Sequence, residues 1–329
     1  MKPTILLTGK TGQLGSELNR LLPKLGEVIA PDRKELDLLD PEKIRQIMRD
    51  AKPQLIVNAA AYTAVDAAET DQANALAVNA EAPRLLAREA KKIGAMLVHF
   101  STDYVFDGAK KAPYVETDPP NPLNAYGRTK LAGEQAIRDS GAAHLIFRTS
   151  WVYATHGRNF LLTILRLATE REELKIVHDQ VGAPTCASDL AAATTRILVD
   201  IFTSTKSQFT FREVSETYHV TATGQTTWYE FANAILDEAR SAPQDLPWLT
   251  AATNSHPLIA RRVLPISTEE FRSPTRRPAY SVLSNSRLVQ TFGVTLPDWR
   301  TQLQNCFSST HIPANSPSVV SSCEKIRPS

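Results

Sequence analysis

The chain has 329 residues, with 42% hydrophobic and 22% charged residues and a net charge of +2 from 37 Lys and Arg against 35 Asp and Glu. This is the composition of an ordinary globular protein with ample core, and the lack of any long run of one sign argues against a nucleic-acid partner. No stretch approaches the ~20 apolar residues of a membrane span, and "MKPTILLTGK" is too short and too quickly polar for a signal peptide, so the expected location is the cytoplasm, with no membrane partner.

The first half of the chain alternates short apolar runs with helical patterns. "TILLT" is β-rich and ends at Gly9, after which Leu14, Leu18, Leu21 and Leu22 recur at helical spacing. "EVIA" is the second strand. Asp40 caps the helix of "DPEKIRQIMRD", with Pro41 at its first position. "QLIVNAA" is the third strand. A helix is expected from about 65 to 92, with Pro83 marking a kink or a fresh start. "AMLVHFST" is the fourth strand, 126–140 a helix and "AHLIFRTS" a further strand. Strands alternating with helices, joined by right-handed crossovers, give an α/β doubly wound parallel sheet of Rossmann type.

Beyond about residue 150 the rhythm loosens into a smaller C-terminal α/β lobe. "NFLLTILRLATEREEL" reads as an amphipathic helix, "HDQVGAPTCASDL" as a loop entering another, and "ETYHVTATGQTTWYEFANAILDEAR" as strand, turn and helix. "HPLIARRVLPISTEEFRSPTRRP" has no assignment. The division expected is 1–150 for the dinucleotide-binding domain, to which some later segments return, 151–305 mainly for the second lobe, and 306–329 for a disordered Ser/Pro-rich tail. Cys186, Cys306 and Cys323 are far apart, without metal spacing, and read as free thiols.

Gly9, Gly12 and Gly15 form G-x-x-G-x-x-G between the first strand and its helix. Such a turn lets the backbone approach a pyrophosphate at a helix N-terminus, and the pattern points to dinucleotide binding. Asp32 and Arg33 lie at the end of the second strand. Asp32 would accept from an adenosine ribose and favour NAD, whereas Arg33 would bind a 2′-phosphate and favour NADP. Both are present; the reading inclines to NADPH, with NADH also accepted.

"STDYVFDG" follows the fourth strand with two hydroxyls, Ser101 and Thr102, and "AYGRTKLAGE" opens the next helix with Tyr126 and Lys130 four apart. The pair could belong to an exposed helix face. With the glycine loop and the strand-four hydroxyl, it reads instead as a set that converges over a nicotinamide ring. Tyr126 is then the general acid, Lys130 lowers its pKa and holds the cofactor ribose, and Thr102 orients the carbonyl. His99, His144 and His178 read as structural.

These residues resemble the extended short-chain dehydrogenase/reductase superfamily and, within it, the dTDP-4-dehydrorhamnose reductase family. The resemblance runs through "TGKTGQLGSEL", "VNAAAYTAVDAAE", "STDYVFDG", "PLNAYGRTKLAGE", "FRTSWVY", "GRNF", "DQVGAPT", "TTWYEFA" and "RRPAYSVL". It implies NADPH-dependent reduction of the 4-keto group of a dTDP-sugar, dTDP-4-dehydro-β-L-rhamnose. It implies cofactor contacts at Gln13, Leu14, Ala60, Ala61 and Tyr62, and the expected cofactor set also takes in Asp37 and Leu38. Thr102, Asp103, Tyr104 and Trp151 are expected at the sugar, and Asn159 and Arg277 at the diphosphate. Some members of the family use Mg2+ at a homodimer interface; Glu17 matches one such position, but Ser188 stands where a second acid is expected, with Asp189 one step along. A 4,6-dehydratase or 4-epimerase is the neighbouring reading, disfavoured because Asp103 is followed by Tyr104 and not by a second acid. A non-catalytic nucleotide-binding subunit of the same fold is the third, opposed by the intact Thr102, Tyr126 and Lys130 set.

Overall fold

The computed structural model describes residues 2–203, 211, 213–243 and 246–308. The tail from 309, expected to be disordered, lies outside them. Residues 306–308 do not belong to that tail, because they complete a helix.

The N-terminal half follows the expected order: β1 (Thr4–Thr8), α1 (Gln13–Leu21), β2 (Glu27–Ile29), α2 (Pro41–Ala51), β3 (Leu55–Asn58), α3 (Gln72–Leu76), α4 (Ala82–Ile93), β4 (Met96–Thr102), α5 (Ala125–Ser140) and β5 (Ala143–Thr149). Then come β6 (Val152–Tyr153), α6 (Phe160–Glu170), β7 (Glu173–Val177), β8 (Val181–Gly182), β9 (Thr185–Cys186), α7 (Ala187–Thr203) and β10 (Glu216–His219). The chain closes with β11 (Thr226–Thr227), α8 (Trp228–Ser241), α9 (Pro247–Thr253), β12 (Arg262–Ile266), α10 (Thr268–Phe271), α11 (Ser286–Phe292) and α12 (Trp299–Ser308).

Six strands pair in parallel in the order β10-β5-β4-β3-β1-β2. The strands read as unbroken apolar runs because both faces of the sheet are covered. Ile5, Leu7 and Val57 pack on one side with Leu18 of α1 and Leu190 of α7. Leu6 and Ile56 pack on the other with Ile44 of α2 and Leu86 of α4. The order reverses between β1 and β3, so a crevice opens at the C-terminal ends of these strands. A separate core joins α6, α8 and α12 in the second lobe. No helix among the described residues is long and apolar enough to cross a membrane.

Two expectations need correction. The helix expected from 65 begins at Gln72, after a 3-10 turn over Ala67–Glu69, and a π turn at Ala77–Glu81 separates α3 from α4. Pro83 has no N–H to give an i→i−4 bond, and the wider turn lies just ahead of it. The amphipathic helix read as far as "EREEL" stops at Glu170. Glu173–Val177 is instead a strand in register with Arg262–Ile266, the segment that had no assignment. Pairing across some 90 residues overrides the local preference of Glu and Leu for helix.

The π turn places Asn79 where its side chain accepts from Tyr62 N at 2.9 Å and donates to Tyr62 O at 3.0 Å and Thr129 Oγ1 at 3.1 Å. It thereby ties the loop after β3 to α5. The small residues of "AYGRTKLAGE" have the same purpose. A Cβ at Gly127 would lie 2.2 Å from Tyr104 O, and one at Gly133 would lie 2.1 Å from Asn79 O. Behind them Glu134, wholly buried, takes two bonds from Arg148 at 2.9 and 2.7 Å and one from Ser101 Oγ at 2.6 Å. Burial pushes the Glu134 pKa up, but the Arg148 and Ser101 contacts outweigh it and bring it below the usual value. The pair fixes α5 against β4 and β5.

Candidate active site

The crevice holds a cavity of about 970 Å³ at the strand ends. Its floor is the loop from β1 to α1. Gly9 has φ +76°, and a Cβ there would lie 2.7 Å from Ala60 N; at Gly15 a Cβ would meet Gly9 O at 1.9 Å. Gly15 packs the turn and does not line the cavity, whereas Gly9, Gly12, Gln13 and Leu14 do. The N-terminus of α1 has no side-chain cap and no acid in its first turn. Its N–H groups and dipole are therefore left to an anion.

Asp32, Arg33, Asp37 and Leu38 form one end of the cavity, and Ala60, Ala61 and Tyr62 a side wall. Asp32 Oδ1 accepts from Lys34 N at 2.8 Å and Glu35 N at 3.0 Å, and these bonds lower the carboxyl's pKa. Arg33 is exposed. Lys10, for which the sequence alone gives no signal, also lines the cavity, 3.7 Å from Glu35.

At the other end lie Thr102, Asp103, Tyr126, Lys130 and Trp151. Asn124 caps α5, accepting from Gly127 N at 2.8 Å, and Glu69 accepts from Ala125 N at 2.7 Å. These two bonds orient the first turn that carries Tyr126. The Tyr126 ring meets Tyr104 edge-on at 5.9 Å. Burial pushes its pKa up to about 12, opposed by a hydrogen bond with Thr102 and reinforced by the Asp103 charge. The net shift is upward, against the lowering expected from the Lys130 ammonium, whose hydrogen bonds go elsewhere. Lys130 Nζ, nearly wholly buried, donates to Phe100 O at 2.6 Å and lies 3.2 Å from His99 Nε2. Burial brings Lys130 down to about 8, opposed by the Glu134 charge.

His99, expected to be structural, supports Lys130 from below. Its Nδ1 lies 3.0 Å from Asn58 Nδ2, and Thr8 Oγ1 donates to Asn58 Oδ1 at 2.6 Å. The imidazole stays neutral, because burial and the Lys130 charge hold its pKa well below the ordinary value. Of the two hydroxyls, Ser101 is committed to Glu134, and Thr102 is the one beside Tyr126. Asp103 is buried, burial raises it to about 7, and its Oδ2 has no hydrogen-bond partner.

Trp151 takes φ +47°, and its ring stacks on Trp228 at 3.4 Å and 5°. One indole face is thus already covered by a residue that the sequence reading did not single out. Tyr104, beside Tyr126, hydrogen-bonds Arg277, which also holds Asp66 at 3.0 Å. Asn159 does not face the cavity. It caps α6 at Leu162 N and donates to Gln13 Oε1 at 2.7 Å, holding the glycine loop from behind. Glu17 pairs with Arg20 at 2.9 Å in a separate cavity shared with Asp189. No group of three His, Cys, Asp or Glu among the described residues is placed to hold a metal.

A family model described as the RmlD substrate binding domain matches residues 1–312. The dTDP-4-dehydrorhamnose reductase of Burkholderia thailandensis is 50% identical over 302 residues, 92% of this chain and 97% of that one. The enzyme of the same name from Escherichia coli K12 is 42% identical, covering 94% and 99%. Among solved structures, the dTDP-4-dehydrorhamnose reductase of Bacillus anthracis in complex with NADP is similar at TM-score 0.81 and 35% identity, over 94% of this chain and 99% of that one.

Proposed function

The chain belongs to the RmlD substrate binding domain family, and from that premise and the geometry above we propose that it is an NADPH-dependent reductase. It reduces the 4-keto group of dTDP-4-dehydro-β-L-rhamnose to give dTDP-β-L-rhamnose. The observation that carries the reading is Thr102, Tyr126 and Lys130 lining one end of a cavity whose floor is the open N-terminus of α1.

The nicotinamide cofactor, when bound, supplies the hydride. The loop from Gly9 to Leu14 and the α1 N-terminus would hold its diphosphate, and Lys130 its ribose. Thr102 orients the ketone oxygen, and Tyr126 gives that oxygen a proton, a role suited to a phenol that stays protonated well above neutral pH. Asp103 and Trp151 line the sugar side, where Trp151 presents what Trp228 leaves uncovered, Tyr104 lies beside Tyr126, and Arg277 stays the candidate for the diphosphate.

Mixing the protein with dTDP-4-dehydro-β-L-rhamnose and NADPH tests the reading. Stoichiometric NADPH oxidation with formation of dTDP-β-L-rhamnose is expected. A product that forms without net NADPH consumption would mean a dehydratase or epimerase, and NADPH binding without turnover would mean a non-catalytic subunit.

Two further outcomes test the cofactor end. Gly12 has ordinary negative φ, and a Cβ there meets only Gly9 O, at 3.3 Å. Gly12→Val should therefore fold and yet obstruct the anion site, raising the NADPH dissociation constant about tenfold or more. Titration of NADPH fluorescence reads this; an unchanged constant removes the loop from cofactor binding. Asp32 is bound to its own turn while Arg33 is exposed, which favours the 2′-phosphate. Arg33→Ala should raise the KM for NADPH several-fold, the scale of one partly exposed charged contact, and leave that for NADH nearly unchanged. Equal effects on both would make Arg33 a plain loop residue.

A further inference from the structure

Cys186 and Cys306, 120 positions apart, bring their sulfur atoms to 3.3 Å. Cys186 ends β9, beside Tyr153 of β6, and immediately precedes α7. Cys306 lies on α12. Gln302, one turn back on α12, accepts from Cys186 N at 2.7 Å, so the two elements are already held in register. Both side chains are buried from bulk water, yet both line a cavity of about 340 Å³ with an exposed residue, Arg20, at its rim. The two thiols are not equivalent. Cys186 Sγ lies 3.2 Å from Ser188 Oγ, at the start of α7, where helix N–H groups favour a thiolate. The hydrogen bond from Cys306, with those from Ser188, lowers the Cys186 pKa against its burial, while Cys306 is raised.

We propose that Cys186 and Cys306 form an oxidisable dithiol, a modification site at which a peroxide makes an intrachain disulfide joining β9 to α12. The Cys186 thiolate attacks one oxygen of hydrogen peroxide, giving Cys186 sulfenic acid and hydroxide. The Cys306 sulfur then displaces the sulfenic oxygen, which leaves as water with the Cys306 proton. Two thiols lose two electrons and two protons, and one peroxide is reduced to two waters. The sulfur atoms must close from 3.3 Å to the ~2.05 Å of a disulfide, a movement that β9 and α12 share. Oxidised and reduced cysteines are otherwise packed alike, as small apolar groups, so the distinction between this site and plain core packing is chemical.

The experiment uses the full chain with Cys323→Ser, which leaves two of the three cysteines. After hydrogen peroxide, titration with a thiol reagent in denaturant should fall from two thiols to none. Peptide mapping should show the Cys186–Cys306 disulfide, and dithiothreitol should restore both thiols. In Cys306→Ala, Cys186 should be trapped as sulfenic acid by dimedone faster than Cys306 is in Cys186→Ala, because Ser188 and the α7 N-terminus remain beside it. Two thiols remaining in the Cys323→Ser protein, or sulfinic acid on Cys186 with Cys306 still reduced, would overturn the proposal. So would disulfides found only between chains. None of these readouts depends on the reductase activity.

Discussion

Tyr126→Phe should lower kcat for ketone reduction by ~10²–10⁴-fold, the usual worth of a general acid, while NADPH titrates the variant as it does the parent. The substitution removes one oxygen and keeps the ring. The ring's edge contact with Tyr104 at 5.9 Å and the capped first turn of α5 both persist. What disappears is the hydroxyl proposed as the proton donor, beside Thr102. Burial and the nearby Asp103 push the Tyr126 pKa up to about 12, against the lowering effect of Thr102, so the parent carries this proton throughout the neutral range. The loss should therefore be in kcat and nearly independent of pH between 6 and 8. A loss in KM alone would make Tyr126 a binding group. A Phe variant near full activity would return Tyr126 to an ordinary helix face.

Which parts of this site the sequence displays follows from how far apart its members lie. The glycine loop is local: a strand, a turn and a helix within Thr4–Leu21 carry their own geometry. Tyr126 and Lys130 are likewise local, one helical turn apart. Strands β1, β3 and β4 are buried on both faces, and that burial shows directly as apolar runs. Side-chain direction is not local. Spacing places Lys130 near Tyr126, but Phe100 O and His99 decide where its ammonium points. The same limit hid the stack of Trp151 on Trp228, the parallel pair of β7 and β12, and the meeting of Cys186 with Cys306. Each joins segments at least some 75 residues apart through contacts that neither segment specifies alone. Asn159 shows the opposite error. Its position beside a family motif suggested a ligand contact, whereas its side chain is spent on the α6 cap and on Gln13.

Lys130→Met should lower kcat/KM by about 10²–10³-fold, the scale of one preorganised charged donor, and should change the pH profile as well as its height. Lys130 is held down to about 8 by burial, with Glu134 opposing. A lysine with a depressed pKa is charged below that value and loses its charge as pH rises through it. The ammonium proposed to hold the ribose is thus present at neutral pH and lost on the alkaline side. Because kcat/KM follows ionisations of the free enzyme, the parent should fall above pH ~8 when NADPH is varied at saturating sugar nucleotide. Tyr126, pushed up to about 12, keeps its proton across that interval and cannot supply the limb. His99, the other titratable group in contact with Nζ, is held neutral by burial and changes nothing there. Asp103, raised to about 7, ionises lower and on the substrate side, so its effect belongs in the profile measured with sugar nucleotide varied. The Met variant should therefore be slow and flat from pH 7.5 to 9.5, where the parent declines. An alkaline limb of the same midpoint in the Met variant would assign that ionisation to another group and leave Lys130 as packing beneath the cavity.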